Sequence, residues 1–291
     1  MAMKTRKVSV SRGTFNLREG GNPDGSPVVM LHGWPESSHC WEGVAAHLDA
    51  SLRVIAPDLR GLGDSERTMD VKAYQKVELA KDIIEVLDAI GVDTFLLVGH
   101  DWGGIVAQEI ALLVPQRVKR LVIMNIAVLT NPIGTMEARQ IIFNQGGVPF
   151  WYQYFQQMPG LAEAMIKGNE KVWVSFFFGK AGQDGIIPAA AIAEYIRCYS
   201  IENTPATAAS YYRAMQMDAQ HWATLMGKKF SMPSLYIHGK RDSVIIPAFL
   251  NHIEDGFESV QVESVDAAHF LQEEKPQEVA TLMNAFFKKG M

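Results

Sequence analysis

Short apolar runs alternate along this chain with amphipathic stretches, and that alternation is its strongest signal. Val28-Val29-Met30-Leu31 passes straight into His32-Gly33, as a strand buried on both faces would. Arg53 to Asp58 reads as the next strand, Thr94 to Gly99 as another, and Leu121 to Met124 as a fourth. Between them Leu79, Ile83, Ile84, Val86 and Leu87 recur at helical spacing, which predicts a helix from Val77 to Ile90. Gly104 to Leu113 predicts a second helix, stopped by Pro115. Further on, Ser234 to Ile237 and Val260 to Val262 are strand-like, and Gln277 to Phe287 closes as a helix. Continuously apolar strands separated by helices predict an α/β fold whose central sheet is mostly parallel and flanked by helices.

One segment breaks the alternation. From about Thr130 to Trp222 there is no convincing strand, and more than half of the chain's Phe, Trp and Tyr lie between Phe143 and Trp222. Aromatics beyond the needs of a core commonly line an apolar pocket. The chain therefore divides into a first core segment, 1–130, a helical cap, 131–222, and a second core segment, 223–291. The cap is entered at Asn131-Pro132 and left near Met232-Pro233, and it reads as a lid over an active site.

The chemistry centres on Gly99-His100-Asp101-Trp102-Gly103-Gly104, where a strand runs into a helix between glycines. Such a turn lifts its central residue clear of the backbone, and hydrolases with Gly-x-Ser-x-Gly place their nucleophile there. Here the residue is Asp101. A serine must lose a proton before it attacks, whereas a carboxylate is already an anion and attacks an sp³ carbon directly. The resulting ester must then be hydrolysed, which calls for a base to activate water. His269, after the last strand, is the candidate, with Asp242 after the preceding strand to hold its tautomer. The order nucleophile, acid, histidine suits an α/β-hydrolase. Water attack on that ester also needs oxyanion donors, for which the backbone N–H groups of Trp34 and Trp102 are the candidates.

These residues carry a resemblance. Trp34-Pro35-Glu36-Ser37 after His32-Gly33, together with His100-Asp101-Trp102-Gly103-Gly104, Asp242 before Val244-Ile245-Ile246-Pro247, and His269, resemble the epoxide hydrolase branch of the α/β-hydrolases. The likeness continues into the cap, where Tyr152 to Gly160 and Tyr211 to Met215 are similar to that family's two tyrosine segments. It implies that Tyr152 and Tyr212 hydrogen-bond an epoxide oxygen and protonate it as the ring opens. A phenol suits that task, since an alkoxide is far more basic than a group of pKa about 10. The implied substrate is a small apolar or aromatic epoxide, with water as second reactant and no cofactor.

The nearest alternative, a haloalkane or haloacetate dehalogenase, would use the same Asp-His-Asp set. Those enzymes commonly have Asn where this chain has Trp34, or Arg where it has Trp102, and some draw their acid from the position of Asn125. Trp151 and Trp173 keep that reading open, because a cap Trp can also bind halide. A ligand-binding relative without catalysis would be expected to have lost one of these residues.

Composition narrows the partners. Hydrophobic residues make up 48% and charged residues 20% of the chain, and a net charge of −5 with pI near 5.9 gives no reason to expect nucleic acid or an anionic membrane. Cys40 and Cys198 form no disulfide framework and read as reduced, half-buried thiols. The N-terminus lacks the apolar segment of a signal peptide, and no run approaches the ~20 residues of a membrane span, so a cytoplasmic location is expected. Asp58 to Ser65 lacks the third glycine of a dinucleotide loop and reads as a structural turn; no metal ligand set is evident either. Oligomeric state is left open, a homodimer included.

Overall fold

The computed structural model describes residues 3–289; Met1, Ala2, Gly290 and Met291, the outer ends of segments 1–130 and 223–291, lie outside them. The first strands are β1 (Lys4–Val10), β2 (Gly13–Gly21), β3 (Ser26–Leu31) and β4 (Leu52–Pro57), with the one-turn helix α1 (Glu42–Ala45) before β4. Then come α2 (Lys76–Ala89), β5 (Phe95–His100), α3 (Asp101–Leu113) and β6 (Val118–Met124). Seven helices follow before the next strand: α4 (Pro132–Asn144), α5 (Trp151–Gln156), α6 (Leu161–Ile166), α7 (Glu170–Gln183), α8 (Ala189–Tyr199), α9 (Thr204–Arg213) and α10 (Met215–Ala223). The chain closes with β7 (Ser234–Gly239), β8 (Val260–Val265), α11 (Leu271–Glu274) and α12 (Pro276–Lys288).

The eight strands form one sheet in the order β1-β2-β4-β3-β5-β6-β7-β8. Pairing is parallel from β4 to β8 and antiparallel between β1 and β2 and between β2 and β4. The α/β fold read from the alternation is the observed one. Strands β5 and β7 are buried at every position, which is why Phe95 to Val98 and Leu235 to Ile237 run apolar without alternating.

The antiparallel pair β1–β2 was not among the strands expected from the sequence. Its outer strand, Lys-Thr-Arg-Lys-Val-Ser-Val, is almost wholly exposed and carries the charges that protect a sheet edge. Its few apolar side chains, Val8, Phe15 and Leu17, pack on Val86 in a small cluster apart from the main core. Both cysteines are free and more enclosed than expected: Cys40 and Cys198 are buried.

Aromatic contacts hold the helical insertion on the sheet. Trp34, in the loop after β3, meets the Phe177 ring edge-on at 4.6 Å and stacks on Tyr152 at 5.6 Å. Trp151, Phe155, Trp173 and Phe176 extend the cluster outward at centroid spacings of 5.3–6.1 Å. The loop from Asp58 to Ser65 is a structural turn. Asp58 accepts hydrogen bonds from the Ser38 and Asp64 backbone N–H groups at 2.7 and 2.9 Å and from the Asn16 amide at 2.8 Å.

Candidate active site

The candidate centre lies at the turn between β5 and α3. Asp101 has φ of +49°, a left-handed conformation that few non-glycine residues adopt. The flanking glycines make the turn feasible. A Cβ on Gly99 would lie 2.4 Å from the Gly103 carbonyl oxygen, and one on Gly103 would lie 2.3 Å from the Leu31 and His32 carbonyl oxygens. Any side chain at either position would push α3 away from β3 and β5.

The two oxygens of the Asp101 carboxylate are held differently. Oδ1 accepts from the Trp34 backbone N–H at 2.8 Å, while Oδ2 lies 3.6 Å from His269 Nε2. Trp102 follows Asp101 in the first turn of α3, where backbone N–H groups have no partner within the helix. His269 Nδ1 donates to Asp242 Oδ2 at 2.8 Å. The other Asp242 oxygen accepts from the Val244 and Ile245 N–H groups at 2.7 and 3.1 Å, so the carboxylate cannot swing away. Burial alone would raise the pKa of Asp101, but the nearby His269 ring, with the His100 charge and the Trp34 N–H, holds the carboxyl below its ordinary range. Burial likewise works to lower the His269 pKa; the charges of Asp242 and Asp101, with the hydrogen bond to Asp242, outweigh it and raise the imidazole well above the usual value. The two carboxylates on either side of the ring thus favour its protonated form.

Four polar residues with no role read from the sequence brace this arrangement. His100 Nε2 donates to the His269 carbonyl at 2.8 Å. Asn125, with φ of +43°, donates to the same carbonyl at 2.8 Å and to that of Ala268 at 3.1 Å, and accepts from the Gly239 N–H at 2.8 Å. Asn125 therefore stitches the ends of β6 and β7 to the histidine loop. Behind His100, the buried Glu36 carboxylate accepts from the Gln272 amide at 2.9 and 3.0 Å. No local pattern marks these partnerships, which join residues more than a hundred positions apart.

Two cavities meet at Asp101. One, of about 560 Å³, runs past Trp34, Trp151, Tyr152, Phe177 and His269. The second, of about 490 Å³, runs past Trp102, Ile105, Leu129, Met215 and Trp222. Asp101, Tyr152 and Val244 line both. Tyr212 adds no surface to either wall; it is enclosed by Trp34, Trp102 and Tyr152, whose rings lie 5.5–5.7 Å away. Burial, reinforced by the nearby Asp101 charge, pushes both phenols above their ordinary pKa, so both keep their protons. Of the seven residues singled out from the sequence, Asp101, His269, Tyr152, Trp34 and Trp102 line these cavities, while Asp242 is joined to them through His269 and Tyr212 through the rings packed around it. Among the described residues one acid and thiol cluster has metal-ligand spacing, Asp64, Glu194 and Cys198. The Arg197 guanidinium already fills it, with contacts of 2.7, 2.9 and 3.1 Å to the three.

Residues 26–276 match the family model of the alpha/beta hydrolase fold. The chain is 31% identical to the soluble epoxide hydrolase of Corynebacterium sp. (strain C12), with 90% of each chain covered. It is 29% identical to epoxide hydrolase A of Mycobacterium tuberculosis, covering 97% of this chain and 96% of that one. Among solved structures, an epoxide hydrolase from Vigna radiata superposes with a TM-score of 0.83 at 26% identity, covering 99% of this chain and 98% of the other.

Proposed function

Since the chain belongs to the epoxide hydrolase family of α/β-hydrolases, we propose that it converts an epoxide to a vicinal diol through an ester on Asp101, later hydrolysed by water that His269 activates. The observation that carries this reading is the lopsided grip on Asp101. Oδ1, hydrogen-bonded to the Trp34 N–H, is placed to become the ester carbonyl oxygen, and Oδ2, which faces His269 at 3.6 Å without a hydrogen bond, is the attacking atom. Tyr152 and Tyr212 give the opened oxygen its proton; both phenols stay protonated at neutral pH, and an alkoxide is basic enough to take a proton even from a phenol whose pKa burial has raised. Helices α4 to α10, segment 131–222, act as the lid that carries both.

Water then attacks the ester carbonyl, with its oxygen held by the Trp34 and Trp102 N–H groups. Alkylation itself readies the base for this step. Once Asp101 is a neutral ester, His269 faces one carboxylate instead of two, so it gives up its proton more readily. The apolar and aromatic cavity walls favour an apolar or aryl epoxide.

A pH prediction follows from the two opposed shifts. The free-enzyme His269 pKa is raised, so its proton persists above the ordinary histidine range and is lost only as pH climbs further. In the ester the midpoint falls. Stopped-flow hydrolysis of preformed adduct should therefore accelerate with rising pH, around a midpoint below that found for free His269 by NMR. Equal midpoints would mean that the Asp101 charge has no influence on the base. Alkylation, by contrast, should stay flat through neutral pH and weaken only in acid, where the low-lying Asp101 carboxyl protonates.

The halide reading loses one donor. The Trp173 indole N–H is committed to the Tyr199 hydroxyl at 3.1 Å. A panel of styrene-type epoxides and haloalkanes, assayed for diol and for halide, tests the choice. Diol formation is expected; halide release with no diol would assign the protein to the dehalogenases, and a bound ligand without turnover would mark a receptor.

A further inference from the structure

A lysine lies completely buried behind the reactive centre. Lys76 is 0% exposed and opens α2, where an ammonium opposes the positive end of the helix dipole. An apolar side chain would fill the same space without that cost or the cost of desolvating a charge. What the ammonium touches accounts for it. Nζ donates to Asp218 Oδ2 of α10 at 2.7 Å and to the Tyr211 carbonyl of α9, and it sits 4.2 Å above the centroid of the Trp102 ring. Asp218 Oδ1 also accepts from the Lys76 backbone N–H at 2.9 Å.

Every one of these contacts bears on Tyr212. Tyr211 is its chain neighbour, Asp218 lies on the helix that follows it, and the Trp102 ring meets the Tyr212 ring edge-on at 5.5 Å. Trp102 also follows the nucleophile in sequence. We infer that Lys76 is a positioning residue: its buried ammonium ties α9 and α10 to the core and orients Trp102, so that the Tyr212 hydroxyl is placed to donate its proton when the epoxide opens. This rests on the reading of Tyr212 as one of the two proton donors. Lys76 touches no substrate, and its effect belongs to the alkylation step, in which Tyr212 takes part, not to ester hydrolysis, in which His269 does.

Lys76→Met alone leaves Asp218 buried without its counter-charge and is expected to destabilise the fold. The informative variant is Lys76→Met/Asp218→Leu, since apolar replacement of both members of a buried pair is commonly tolerated. Single-turnover mixing with styrene oxide, followed by mass spectrometry of the adduct, separates the two steps. The double variant should alkylate tenfold or more slowly than wild type and hydrolyse its adduct at the wild-type rate. In a Tyr212→Phe background the same two changes should slow alkylation by less than twofold, because the group they position is gone. Equal slowing in both backgrounds, equal slowing of hydrolysis, or no slowing at all would overturn the inference. Asp218→Asn keeps the ammonium and an acceptor for it, and should alkylate within threefold of wild type; a tenfold loss there would overturn the inference, because the charge of Asp218 and not the ammonium would then do the positioning. If wild-type enzyme makes no adduct, the covalent reading itself fails, which is a different outcome from an adduct that forms regardless of Lys76.

Discussion

Replacing His269 with Gln should give an enzyme that alkylates itself once and then stalls. In the proposed mechanism ring opening belongs to Asp101 and the lid tyrosines, so the ester should still form. Its hydrolysis needs a base at the place where His269 Nε2 now lies, 3.6 Å from Asp101 Oδ2. General-base catalysis is worth about 10²–10⁴-fold, so steady-state turnover should fall by about that factor while the adduct accumulates to nearly one per site. Gln conserves bulk and hydrogen-bonding ability, and the Asn125 and His100 contacts fall on the backbone carbonyl of residue 269, so the loop should keep its place. Intact-mass measurement checks it after mixing with excess epoxide. Near wild-type turnover with no adduct would show that another group supplies the base.

The second large effect belongs to the lid. An epoxide oxygen departs as an alkoxide and needs a proton, whereas a halide departs as a stable anion. Tyr152→Phe or Tyr212→Phe alone should slow alkylation by about tenfold to a few hundredfold, the ordinary cost of one transition-state hydrogen bond. Both changes together should abolish epoxide opening. Any halide release should survive them, because the Trp102 indole is untouched. The Phe rings keep the stacking of Tyr152 on Trp34 and the packing of Tyr212 against Trp102, so a loss of stability should not confound the result. A double variant with full epoxide activity would remove both tyrosines from the chemistry.

What the sequence made readable, and what it hid, divides along a physical line. The elbow was legible because its turn leaves no room for side chains at Gly99 and Gly103, so the glycines mark it locally. The core strands were legible because burial on both faces demands unbroken apolar runs. The β1–β2 hairpin was not, because an exposed, charged edge carries no such pattern. Asn125 stood in the sequence as a departure from a dehalogenase position; its work depends on a left-handed backbone and on partners in β7 and the histidine loop. Lys76 lies just outside the helix expected from Val77 to Ile90, and nothing local marks it, since Asp218, its partner, is 142 residues away. Local periodicity reports burial and turns, whereas pairings across the fold leave no local trace.

The account stands on a covalent bond to Asp101, and isotope transfer tests it most directly. Under single-turnover conditions in oxygen-18 water, attack on the ester carbonyl puts the heavy oxygen into the Asp101 carboxylate, and the diol keeps two oxygens of natural abundance. Peptide mass analysis should therefore find the label on the peptide containing Asp101 after one turnover. Label confined to the diol, with an unlabelled peptide, would mean that water opens the ring itself and that no ester forms.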